Sequence, residues 1–209
     1  MPRVTVDDMD ADAEVPVSIP LSSWLDKLAQ PRGAPGGGAA SGVLIAISAA
    51  LLHMVAEYSP DSDEAEACGE RVAAVRIRAL DAAEADGVVS AEFGAALRPS
   101  EHPDRDARVR RAAVAATDSS VGLGRIAEEL VPELALLFDV GNPSLRADLE
   151  VAGEALSAAL GSARANVRAN VSTVKAHRGE GDRLDEWVAH VERRAEELDA
   201  ANARARSLI

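Results

Sequence analysis

Ala39-Ala40-Ser41-Gly42-Val43-Leu44-Ile45-Ala46-Ile47-Ser48-Ala49-Ala50-Leu51-Leu52-His53-Met54-Val55-Ala56-Glu57-Tyr58 runs without a helix breaker beyond Gly42. Small and aliphatic residues hold almost every position. A helix formed here is apolar on nearly all faces and belongs at the centre of a fold. Its apolar stretch, Val43 to Ala56, is about 14 residues, short of the roughly 20 that cross a bilayer, which predicts a buried core helix. The helix is entered through Ala34-Pro35-Gly36-Gly37-Gly38, part of a segment from Pro31 to Gly38 with two prolines and four glycines that must be a loop.

Composition points the same way. The chain has 209 residues, long enough for one sizeable core, and is 47% hydrophobic but only 2% aromatic. Alanine makes up roughly a fifth of it, which favours closely packed helices over a sheet. The fold class expected is all-α, a bundle of about seven or eight helices around the apolar one. The net charge of −13 excludes a general nucleic-acid binder and disfavours an anionic membrane surface. Part of that charge lies in residues 1–19, where Asp7, Asp8, Asp10, Asp12 and Glu14 face only Arg3, as in an acidic mobile tail before a single domain, 20–209. The N-terminus lacks the basic and apolar character of a signal peptide. The single cysteine, Cys68, precludes an intrachain disulfide and suits a reducing, cytoplasmic setting.

Outward from the apolar stretch, the hydrophobic spacing predicts a short helix from Ser22, with a serine cap, to Leu28, ended by Pro31. After the break Ser59-Pro60-Asp61-Ser62-Asp63, with Ser62 or Asp63 as cap, helices are expected over Glu64 to Ala85 and Ser90 to Leu97. Others follow over Asp104 to Thr117 and Val121 to Phe138. Ser144 is placed to cap the next helix. Its seam, Ala152, Leu156, Ala159, Ala163, Val167, Val171 and Val174, recurs in steps of three and four. A last amphipathic helix is expected from Asp182 to Ser207.

Three segments in this order are similar to one family. Trp24-Leu25-Asp26-Lys27-Leu28-Ala29 followed by Pro35-Gly36-Gly37-Gly38-Ala39-Ala40-Ser41 and a helix ending Met54-Val55-Ala56 is the first. Arg78-Ala79-Leu80 through Asp86 is the second. The third is Asn142-Pro143 through Asp148-Leu149-Glu150-Val151-Ala152, then Gly161, Asn166-Val167 and Asn170-Val171. The chain resembles the formiminotetrahydrofolate cyclodeaminase/methenyltetrahydrofolate cyclohydrolase family, the C-terminal domain of formiminotransferase-cyclodeaminase. That resemblance implies a helical homodimer with a tetrahydrofolate derivative as substrate, bound in a cleft near the subunit interface. It implies a reaction that forms or opens the N5,N10-methenyl bridge by acid/base catalysis. The chain departs from the family in Glu57-Tyr58-Ser59-Pro60, where a Thr and a basic turn are usual, and in Thr117-Asp118-Ser119-Ser120, where a proline is usual. The stretch Arg98 to His102 is only partly basic.

The candidate residues each admit a structural and a functional reading. Pro35, Gly36, Gly37 and Gly38 lead into a helix N-terminus, whose free amides and positive dipole can hold an anionic or carbonyl group; the same glycines also suit a tight turn. Asp148 falls in the first turn of a helix, as a dipole-stabilising carboxylate or, by the resemblance, a catalytic one. Asn142 belongs to the loop before it. Asn166 and Asn170, four apart, share a face for an inter-helix bond or a pterin-like edge. His53 and Glu57, also four apart, are a core histidine and its neighbour or a general base. Arg78 can meet an acidic substrate tail or stay solvated, as can Arg76. Asp81, Glu84 and Asp86 read as a solvated helix end. His102, His177 and His190 have no metal-ligand spacing, and no metal is expected. The alternatives to the folate enzyme are a family member turned to another small-molecule cyclisation or elimination, and a non-catalytic helical dimer.

Overall fold

The computed structural model describes residues 18–31, 34–179 and 183–209. The acidic stretch expected to be a mobile tail lies mostly outside them, as does the expected start of the last helix at Asp182. The described residues form seven α-helices and one 3₁₀ turn, with no strand: α1 Leu21–Leu28, α2 Gly37–Glu57, α3 Asp63–Leu97, α4 Arg105–Glu128, α5 Leu130–Val140, the 3₁₀ turn Pro143–Leu145, α6 Arg146–Ala176 and α7 Asp185–Leu208.

Small residues set the packing. On α2, Gly42 lies so close to α3 that a Cβ there would sit 2.7 Å from the Ala83 Cβ and 2.8 Å from the Ala79 carbonyl. Further along, Gly69 of α3 meets Ala56 and His53 of α2, so the two helices are antiparallel. On its other side α2 runs antiparallel to α6: Ser41 Oγ pairs with Ser162 Oγ at 2.7 Å, and Ser48 Oγ donates to the Ala152 carbonyl at 2.9 Å. Both serines are fully buried, and each hydroxyl has its partner, so neither carries the cost of an unpaired buried group. Helix α4 packs against α3 and α6, which closes a four-helix arrangement, and α7 lies outside α6. The main core gathers Ile45, Leu52, Leu130, Leu134, Leu156 and Leu160.

Helix α2 is 21 residues long, more than the apolar stretch alone suggests, and by length and composition it could cross a membrane. More than half of its most apolar window, 56%, is buried within the chain, as in a core helix. One face is not covered: Ile47 is 44% and Tyr58 62% exposed.

Four boundaries differ from the sequence-based expectation. Helix α1 begins at Leu21 with Pro20 before it, so no serine side chain caps it. Helix α3 is continuous through Asp86-Gly87-Val88-Val89, where two helices are expected, because Asp86 and Gly87 are buried within the bundle instead of marking an exposed end. The break expected between Thr117 and Val121 is absent, because α4 runs through it, and the chain breaks at Glu129, between α4 and α5. Pro132, in the first turn of α5, has no N–H to continue a helical ladder from α4. Asn142, not Ser144, makes the cap before α6: its side chain accepts from the Ser144 N–H at 2.9 Å. Ser62 caps α3 as expected, accepting from Ala65 N–H at 3.2 Å.

Candidate active site

The register of α2 between its neighbours decides what meets its N-terminus. The first intrahelical bond of α2 runs from the Ala40 N–H to the Gly36 carbonyl at 3.0 Å, so the amides of Gly37, Gly38 and Ala39 precede the ladder. Pro35 and Gly38 are buried, and Gly37 is exposed. Against this helix end lies the carboxylate of Asp86, from the middle of α3. A Cβ added at Gly38 would overlap both Asp86 oxygens, so only glycine admits the carboxylate. Asp86 is 3% exposed. Ser90, one turn on, donates to Oδ2 at 3.1 Å, and Ser119 of α4 donates to Oδ1 at 2.7 Å. The positive end of the α2 dipole complements the buried acid.

The other wall comes from α6. Asn166 faces Gly37, with its Oδ1 3.3 Å from where a Cβ would be. Asn166 and Asn170 are half-buried, and neither side-chain amide makes a hydrogen bond among the described residues. Since α3 and α6 continue past Asp86 and Asn166 to Leu97 and Ala176, both project about 15 Å beyond the start of α2 at 1.5 Å per residue. The four-helix arrangement therefore lacks one member at this end. Around the start of α2 stand Asp86 and Ser90 from α3, Asn166 and Asn170 from α6 and Ser119 from α4. Trp24 of α1 packs with Ala39 and Ala83, and its indole N–H has no acceptor among the described residues.

The family model described as formiminotransferase-cyclodeaminase matches residues 20–186, which hold all of these residues. The chain belongs to that family. The fold agrees: the crystal structure of formiminotetrahydrofolate cyclodeaminase from Thermotoga maritima superposes with a TM-score of 0.74 at 22% identity, covering 91% of this chain and 96% of that one. No curated protein matches the sequence.

Within this member of the formiminotransferase-cyclodeaminase family, the residues expected at the site divide between two ends of the bundle. Gly36, Gly37, Gly38, Asn166 and Asn170 come together. His53, Glu57, Asn142 and Asp148 do not join them. Asp148 is eighteen residues before Asn166 on one helix, hence about 27 Å away along its axis. His53 lies about 24 Å along α2 from Gly37, half-buried, 3.4 Å from Glu57. Asn142 is occupied by local structure: its amide donates to the Tyr58 carbonyl at 3.1 Å and its N–H to Ser59 Oγ at 2.9 Å. Arg78 forms a bidentate bridge to Glu129, with contacts of 3.0 and 2.6 Å, on the outer side of α3 and α4.

The acid the sequence reading misses is Asp86. Asp81 and Glu84 are exposed, as a solvated helix end should be, but Asp86 is buried, which corrects that expectation for this residue. A signal existed. Val72, Val75, Ala79, Ala83 and Asp86 are spaced by three and four, so Asp86 continues the buried stripe of α3. Among the described residues no three His, Cys, Asp or Glu side chains gather as metal ligands.

Proposed function

We propose that this protein is a folate-dependent cyclodeaminase or methenyltetrahydrofolate cyclohydrolase that works at the N-terminus of α2, with Asp86 as its proton-transfer group. One observation carries the reading: a buried carboxylate pressed on Gly38 at the N-terminus of α2. In cyclodeamination, N10 attacks the formimino carbon and a new N–C bond forms. The formimino group reacts as its cation, –CH=NH2+: N10 loses its proton, that nitrogen gains it, and its C–N bond breaks to release NH3 and leave the methenyl cation. In cyclohydrolysis, water adds to the methenyl carbon and its oxygen gives up both protons, one to solvent and one to N5 as the N5–C bond breaks, leaving a formyl group on N10. Either reaction needs one group that accepts a proton and returns it within a preorganised pocket, and a single carboxylate can serve. The free amides of Asn166 and Asn170 suit the donor and acceptor edge of a pterin. The first amides of α2 suit a carbonyl or carboxylate oxygen.

A second copy of the chain is the proposed cover for the bare face of α2. Ile47, Leu51, Met54 and Tyr58 follow one another at helical spacing, and Val151 of α6, 57% exposed, precedes Ala152, whose carbonyl accepts from Ser48 of α2. Burying that face in a homodimer would put α2 at the centre of the assembly, where its all-round apolarity belongs. A cytoplasmic setting, with one reduced cysteine, fits the same reading.

The test follows the methenyl chromophore by absorbance. Purified protein should form it from formiminotetrahydrofolate or consume it in water, and Asp86→Asn should slow that turnover by about 10²- to 10⁴-fold, the usual contribution of a positioned acid/base group. Wild-type protein that does neither, and whose melting temperature no folate raises, would overturn the proposal.

A further inference from the structure

We infer that Ser119, together with Ser90, is a positioning residue that holds the Asp86 carboxylate in its working orientation. This rests on the reading of Asp86 as the proton-transfer group. An aspartate side chain turns about two bonds, and a carboxylate that must meet a substrate nitrogen gains from having both fixed. Here three neighbours fix them. Gly38 leaves room for the carboxylate where any Cβ would overlap it. Ser90 donates to one oxygen from the same helix at 3.1 Å, and Ser119 to the other from α4 at 2.7 Å. Each oxygen thus accepts one hydroxyl and keeps capacity for another donor, which a substrate N–H or a water can fill.

The two serines differ in what else they do. Ser90 is four residues from Asp86, a spacing that side chains on one helix share without further purpose. Ser119 reaches across helices. Its neighbours Thr117 and Ser120 spend their hydroxyls on their own helix, donating to the carbonyls of Ala113 and Ala116 at 2.7 and 2.9 Å. Ser119 alone of the three donates to α3. A hydroxyl serving only helix packing would have the same local option. The inter-helix bond instead ends on the one buried carboxylate against α2.

Steady-state kinetics on the full-length chain test this. Ser119→Ala should lower kcat roughly 10- to 100-fold, as small misplacements of reacting groups do, with KM nearly unchanged. Ser119→Thr, which keeps the hydroxyl, should restore most of kcat. A crystal structure of Ser119→Ala should show the Asp86 carboxylate turned from its place beside Gly38. If Ser119→Ala turns over like wild type while Asp86→Asn is inactive, the positioning role is wrong and the Asp86 reading stands. If Asp86→Asn is also as active as wild type, both fall. Should the wild-type protein show neither folate reaction, the crystal structure decides: a carboxylate unmoved in Ser119→Ala overturns the role, and one turned away upholds it for another substrate.

Discussion

Gly38 on α2 and Asp86 on α3 are packed so closely that a single added carbon on the glycine would occupy the space of the carboxylate. The pair joins a helix N-terminus to a buried acid forty-eight positions later in the chain. It makes the glycine-rich loop more than a turn, because the missing side chain at 38 is what admits the acid.

Gly38→Ala should therefore separate folding from function. Asp86 ends in a side chain that can rotate away, so the protein should still fold, losing about 1–3 kcal/mol by overpacking. Turnover should fall by at least as much as in Ser119→Ala, since the carboxylate is displaced outright. Thermal melting and the methenyl absorbance assay read the two effects; a variant with wild-type turnover would disprove the contact's importance.

Gly42→Ala, one turn further along α2, should behave in the opposite way. There the added carbon meets the Ala83 Cβ at 2.7 Å and the Ala79 carbonyl at 2.8 Å, atoms that cannot swing aside. The helices must part, at a cost in the upper part of the same 1–3 kcal/mol range or beyond. Urea unfolding should show the larger loss for Gly42→Ala than for Gly38→Ala; the reverse order would refute this account of the α2–α3 contact.

Asp148→Asn and His53→Ala test which end of the bundle carries the chemistry. Both residues lie some 24–27 Å along their helices from Gly37 or Asn166. Each substitution should leave kcat within a few-fold of wild type. Asp148→Asn should cost about 0.3–1 kcal/mol through the lost carboxylate in the first turn of α6. A hundredfold drop in turnover for either variant, with the fold intact, would move the site to the other end.

Cys68 should be inert in the native protein. Burial, and the Glu133 carboxylate beside it, push its thiol up to about 12 from an ordinary value of 9.0. Burial also works to raise Glu133, but the Arg71 bridge, with both contacts at 2.7 Å, together with the Cys68 thiol outweighs it and holds Glu133 below the usual carboxylate range. The sign for stability follows. A thiol whose folded-state pKa is raised contributes fully below pH 9 and loses that contribution as the pH rises from 9 towards 12, because the unfolded chain ionises first. Glu133, being lowered, contributes above its unfolded value and loses this as the pH falls. Iodoacetamide at pH 8 should label Cys68 only after denaturation. Rapid labelling of the folded protein would contradict the packing described.

Much of the fold is legible in the residues themselves. The stripe Ala152 to Val174 marks α6, Ser62 marks the start of α3, and the run from Ala39 to Tyr58 can only be a helix, because its small and aliphatic side chains leave no polar face. Breaks are less legible. Asp86-Gly87 looks like an exposed end, since an acid beside a glycine ordinarily faces water, and Pro132 is easily passed over inside the apolar pattern Leu130 to Phe138.

Local pattern alone determined that this chain is helical, that a glycine-rich loop opens an apolar helix, and that it resembles one family, because each depends on neighbours within a few turns. Only the tertiary structure decided which acid that loop meets. The choice between Asp86 and Asp148 depends on the antiparallel register of α2 with α3 and α6, and that register is fixed by Gly42 against Ala79 and Ala83 and by Ser41 against Ser162. Those contacts join residues roughly 40 to 120 positions apart, beyond the reach of any helical period.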